Sequence, residues 1–174
     1  MSVSLEQIHR DLEAALGSLD KPSWRDVYKK IDDPIYREVM KSLEAFGAIE
    51  LCAGAHLESG LRSTYFQVRS SEEACGVELS WVAPYAVMQR LTTQVSGHGG
   101  VVYTSDESVF RAGAIDPGGA LTDWQRGVIH VVQEAGFRLL NEEQLHWRVN
   151  LRLDLVEHPD SPWTVYRALF HDFL

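Results

Sequence analysis

Seven histidines, two cysteines and 25 carboxylates are the residues of this 174-residue chain that can do nucleophilic, acid–base or metal chemistry. Their spacing groups none of them into a complete site. His98 comes nearest, in Ser96-Gly97-His98-Gly99-Gly100, directly before the apolar run Val101–Tyr103. A glycine loop there can turn backbone N–H groups toward an oxyanion. Acyl transfer would also need a serine on a strained G-x-S-x-G turn, and the chain has none. The residues favour a glycine turn with a solvent-facing imidazole. Phosphate binding fares no better: there is no G-x-x-x-x-G-K-[ST], and no lysine follows Lys41. Zinc needs several convergent ligands, yet no two histidines stand four apart, and Cys52 with His56 is an isolated C-x3-H. No metal, no other cofactor and no catalysis are expected.

The acidic residues point to binding instead. Sixteen Lys and Arg stand against 25 Asp and Glu, a net charge of −9. Nine of the bases and 17 of the acids lie beyond Lys41, and every base there is arginine. Such a surface repels nucleic acid and anionic lipid and draws in a basic partner at long range. Glu142-Glu143 falls at a helix start, where the helix dipole alone accounts for it. Glu72-Glu73 and Asp106-Glu107 fall in turns with no such local reason. Together with Asp116 and with Trp163, which lies beside Pro162, they are the candidate partner-binding residues.

The elements that must position them are punctuated clearly. Ser4 and Gln7 read as a capping box, with Leu5, Ile8, Leu12 and Ala15 on one face and Gly17 as the stop. A short segment with Trp24, Val27, Tyr28 and Ile31 follows. Asp33-Pro34 then opens a helix through Ile35, Val39, Leu43 and Phe46 to Gly47. Segments 48–57, 61–69 and 76–82 read as strands of a half-buried antiparallel meander. Pro84 is expected to open a helix through Tyr85, Met88 and Leu91. Beyond the glycine-rich stretch 96–120, which holds a short strand Val101–Ser105, Thr122 and Gln125 cap a helix of about 122–135. Trp124, Val128, Val131 and Val132 form its apolar face, His130 lies half-buried beside it, and Gly136 ends it. A short strand Phe137–Leu140 and one helical turn from Asn141 come next. In 147–155, Trp147, Val149, Leu151, Leu153 and Leu155 alternate with polar residues, which predicts a strand. For 163–171, Ser161-Pro162 would cap a helix, while Thr164, Val165, Tyr166 and Phe170 favour a strand pairing back on 147–155.

These elements make one α+β domain over 1–174, with a helical layer 1–47 packed on a largely antiparallel sheet and the helix 122–135 on a sheet face. The length suits a single core. No apolar run is long enough to span a membrane, and the N-terminal residues lack the pattern of a signal peptide, so a cytoplasmic protein with Cys52 and Cys75 as free thiols is expected.

The stretch Ala135-Gly136-Phe137-Arg138-Leu139-Leu140-Asn141-Glu142-Glu143-Gln144-Leu145, followed by an alternating segment and Thr164-Val165-Tyr166-Arg167-Ala168-Leu169-Phe170-His171-Asp172, resembles the C-terminal half of small bacterial immunity proteins. The resemblance spans about forty residues. It implies a cytoplasmic protein that binds and occludes a cognate toxin or effector, with no chemistry of its own. Two other classes stay open: an acidic secretion chaperone that binds an extended effector segment along a sheet edge, and a small enzyme with its site near His98. The oligomeric state is left open.

Overall fold

In the computed structural model, which describes residues 3–51, 62–95, 101–105, 113–151 and 163–170, local bonds account for where the first helices begin and end. Helix α1, Leu5–Leu16, starts where Ser4 Oγ accepts the Gln7 N–H at 3.2 Å. The Gln7 side chain is engaged by Asp11 and Arg10. Ile8, Leu12 and Leu16 are buried, and Gly17 ends the helix at φ 79°. Helix α2, Arg25–Tyr28, and a 3-10 turn, Lys29–Asp32, lead to α3, Pro34–Leu43. Asp33 caps α3 by accepting from Ile35 N at 3.0 Å, and Pro34 supplies a first residue whose missing N–H costs the helix nothing. A further 3-10 turn, Glu44–Phe46, stops at Gly47, where a Cβ would stand 2.0 Å from the Arg69 carbonyl oxygen.

Five strands follow in the order β1-β2-β3-β4-β5, each antiparallel to its neighbour: Ala48–Leu51, Ser63–Arg69, Ala74–Ser80, Tyr85–Val95 and Val101–Ser105. The register places Phe66 opposite Val77 and Val77 opposite Met88, so Phe66, Val68, Cys75, Val77, Leu79, Ala86 and Met88 share one apolar face. The other face was expected to meet solvent. It does not: Ser63, Gln67, Glu78, Ser80 and Gln89 are buried too. The expected helix after Pro84 is replaced by β4, which runs for 11 residues. Tyr85, Ala86, Val87 and Met88 are buried whichever way they point. Burial on both faces erases the period-two signal, and an apolar run of that kind mimics a helix face. Of the strand expected over 48–57, residues 52–57 lie outside the described residues.

Helix α4, Asp123–Glu134, forms with both bonds of the Thr122/Gln125 capping box in place, and Gly136 follows it at φ 90°. His130 is exposed on it and not half-buried. A Cβ on Gly127 would stand 2.2 Å from Phe46 Cε1, so the glycine admits the phenyl ring against the helix. The two-residue strand β6, Arg138–Leu139, pairs in parallel with the start of β4. Helix α5, Glu142–Leu145, carries the Asn141/Gln144 capping box, and Glu142 and Glu143 occupy its first turn.

The alternating segment is not a strand where it is described. Residues 147–151 form a single bridge, Arg148 with Thr164, flanked by Val149 N donating to Trp163 O at 2.8 Å and Val165 N donating to Trp147 O at 2.9 Å. Its alternation survives as burial, since Val149 and Leu151 are inside while Arg148 and Asn150 are exposed. Residues 152–155 lie outside the described residues. Of the two readings open for 163–171, the strand toward which Thr164, Val165 and Tyr166 lean gives way to a helix, α6, Val165–Leu169, with Thr164 Oγ1 accepting from Arg167 N; residue 171 lies outside the described residues. One cap and one bridge share Thr164, which is why its β-favouring neighbours misread. The buried residues of the N-terminal helices, the sheet, α4 and α6 join in one continuous core.

Candidate functional site

Two of the acidic candidates, Glu72 and Glu73, stand together at one end of the sheet. The turn between β2 and β3 is closed on Ser70, whose Oγ accepts from Glu72 N at 3.2 Å and Glu73 N at 2.8 Å. That leaves Glu72 exposed and Glu73 half-buried. Thr122 Oγ1 donates to Glu73 Oε2 at 2.7 Å, so the cap of α4 is tied to this turn. Trp124 Nε1 donates to Phe46 O at 2.8 Å and brings the Glu44–Phe46 turn to the same place. Ala48 pairs with Arg69, which adds the start of β1. Glu50 of β1, Glu72 and Glu73 of the β2–β3 turn and Asp123 of α4 are thus brought to this end, with Arg69 and Arg126 among them. Arg69 is paired with Glu50 at 3.0 Å, and Arg126 with Asp123.

The remaining candidates do not join this end. Asp116 occupies a separate exposed turn, where its carboxylate accepts from Gly118 N at 2.9 Å. Asp106, Glu107 and His98 lie outside the described residues. Trp163 stands at the opposite end of β2, seven residues or roughly 20 Å away. Its ring is a stacking platform: the Arg167 guanidinium lies 4.8 Å from its centroid and that of Arg62 5.4 Å. Arg62, only 4 % exposed, also lies 4.1 Å over Trp24 and donates to Arg167 O at 2.8 Å. Stacking two indoles on buried guanidinium favours a structural role for Trp163 over a partner anchor.

A second constellation escaped sequence reasoning. Glu78, 2 % exposed, sits on the polar face of β3. Its Oε1 accepts from Ser63 Oγ at 2.5 Å, and its Oε2 accepts from Gln89 Nε2 at 3.0 Å and from Tyr166 OH at 3.1 Å. Burial pushes the carboxyl up to about 7, against the opposing pull of the Ser63 and Tyr166 hydroxyls, which favour the ionised form. A carboxyl bonded to a serine could serve as a base, but Ser63 is itself 2 % exposed and its Oγ lies 3.3 Å from the Phe170 carbonyl oxygen, which closes the approach to a substrate. The signal that would have found this cluster is compositional. Ser63, Tyr65, Gln67, Glu78 and Gln89 line one face with uncharged groups around a single acid, where a solvated face would carry many charges.

Cys75 is a free, buried thiol, pushed up to about 12 by burial and then by Glu73, which leaves it unreactive near neutral pH. Among the described residues no group of His, Cys, Asp or Glu is placed to hold a metal ion, and no helix is long and apolar enough to cross a membrane.

Compared with protein-family models, with curated proteins and with solved structures, the chain has no match to any of them.

Proposed function

We propose that this chain is a binding protein of the immunity kind, which occludes a basic toxin by docking its acidic end on the toxin's active surface. The observation that carries the reading is the Thr122–Glu73 hydrogen bond, which fixes the β2–β3 turn and the α4 cap as one carboxylate-bearing surface. Complementary charge steers encounter and fixes orientation, and a rigid acidic surface needs no chemistry to block a cationic active site such as a nuclease's. The test is co-expression with a toxin encoded beside this chain. Growth should be rescued and the two proteins should co-purify. Absence of a complex with that toxin would remove the reading.

A secretion chaperone is the second reading, favoured by one observation. β1 is the outermost strand on its side of the described sheet, and Leu51 on it is 57 % exposed. An extended effector segment can add to such an edge. Mass-resolved chromatography separates the two, because the chaperone reading requires a stable dimer.

A further inference from the structure

The C-terminal helix α6 is fastened to the sheet by a set of hydrogen bonds. Leu169 O accepts from Ser80 Oγ at 2.6 Å, Phe170 O from Arg62 N at 2.6 Å, Arg167 O from Arg62 Nη1 at 2.8 Å, and Tyr166 OH donates to Glu78 at 3.1 Å. Three of these are fixed bonds to main-chain carbonyls. The fourth is the only one whose partner can change charge. Tyr65 and Val87 are Glu78's register partners on β2 and β4, Ser63 and Gln89 bond it from those same strands, and Tyr166 faces it from α6. Tyr65 and Tyr166 are therefore the titratable groups beside it, while the Arg62 and Arg167 guanidiniums are stacked on Trp24 and Trp163. Burial, together with Glu78, pushes the Tyr166 hydroxyl well up, so it stays a donor while the carboxyl titrates.

We propose that the Glu78 carboxyl is a proton-operated latch for α6: uncharged, it keeps the helix seated on the sheet, and ionised, it favours an opened helix that lets water reach it. The physical reason is that a buried carboxylate with three neutral donors still lacks the solvation that water would supply, and α6 is the layer standing between it and water on the Tyr166 side. Opening α6 restores that solvation. The sign follows: closed α6 holds the proton more tightly than open α6, so opening becomes more favourable as pH rises, and levels off once Glu78 is ionised in both states.

The experiment is hydrogen exchange of the amides in 165–169 between pH 5 and 9, corrected for the intrinsic pH dependence of exchange, on the whole chain. With the closed-state value near 7 and an open-state value near 4.5, opening should increase about tenfold between pH 6 and pH 8. Glu78→Gln, which keeps the shape and removes the charge, should abolish that increase. A tenfold increase persisting in Glu78→Gln would assign it to another group and overturn the latch, as would a flat profile in the wild-type chain. Should Glu78→Gln fail to fold, a side-chain carbon titration of the wild-type protein decides: a Glu78 signal moving near 4.5 would overturn the proposal, and one moving near neutrality in step with α6 exchange would support it.

Discussion

The Tyr166 hydroxyl donates to Glu78 Oε2 at 3.1 Å, a bond that ties a five-residue helix to a carboxyl in the middle strand of the sheet. Neither group has a use for the other in local terms. Together they close the polar face of β3 around a buried carboxyl, whose proton should then bear on stability.

The first prediction is that dependence. Glu78 binds its proton more tightly in the folded state, at about 7, than in the unfolded chain at 4.5. Its contribution to stability should thus fall as pH rises between those values and stay flat above them, by roughly 3 kcal/mol at most. Urea unfolding at pH 5 and pH 8 measures it, and Glu78→Gln should show a smaller difference than the wild type.

Tyr166→Phe removes a buried donor without changing the ring, which stacks on Phe170 at 5.3 Å between centroids. The cost should be about 1–2 kcal/mol, and larger at pH 8 than at pH 5, because the lost bond matters most to the ionised carboxylate. Equal costs at both pH values would mean that Glu78 does not change charge in that range.

Gly127→Ala sets two effects against each other. Alanine is the better helix former by up to about 1 kcal/mol, but its Cβ would meet Phe46 Cε1 at 2.2 Å. Overpacking of that kind costs roughly 1–3 kcal/mol, so the variant should be destabilised. Phe46→Leu in the same chain should recover part of the loss in a thermal melt.

Leu151→Ala should cost on the order of 2–5 kcal/mol, while Asn150→Ala next to it should be nearly neutral. Leu151 is buried and Asn150 exposed, although neither belongs to a strand. Chemical denaturation of the two variants is sufficient, and equally mild effects would place Leu151 outside the core.

Association with a basic partner should be steered by charge. Glu72→Lys with Glu73→Lys should slow the on-rate and flatten its dependence on salt, leaving the off-rate less affected. Reversing Glu142 and Glu143 should leave the on-rate nearly unchanged and weaken the start of α5. Stopped-flow binding at several ionic strengths checks both. An on-rate that ignores salt in the wild-type chain would make the acidic end ordinary solubilising charge.

Legibility in this chain follows the range of the interactions. Ser4, Asp33-Pro34, Thr122 with Gln125 and Asn141 all cap the helices they announce, because a cap bonds residues two or three positions apart and needs nothing from the rest of the molecule. The antiparallel strands Ala48–Leu51, Ser63–Arg69 and Ala74–Ser80 were readable for a similar reason, through the Ser70–Glu73 turn and the alternation of Ser63–Arg69. The α+β class and the acidic excess were likewise visible in the residues. β4 was not, since burial on both faces leaves no period to read. The segment 147–151 shows the converse: perfect alternation reports which residues are inside, but a ladder requires a partner strand, and Thr164 offers one bridge before α6 begins. The roles of Glu78 and Trp163 lay furthest from view. A glutamate on a strand is ordinary until a helix 88 positions later covers it, and a tryptophan beside a proline is an exposed anchor until two arginines stack on it. Both outcomes depend on desolvation by distant chain, which no local pattern of residues encodes.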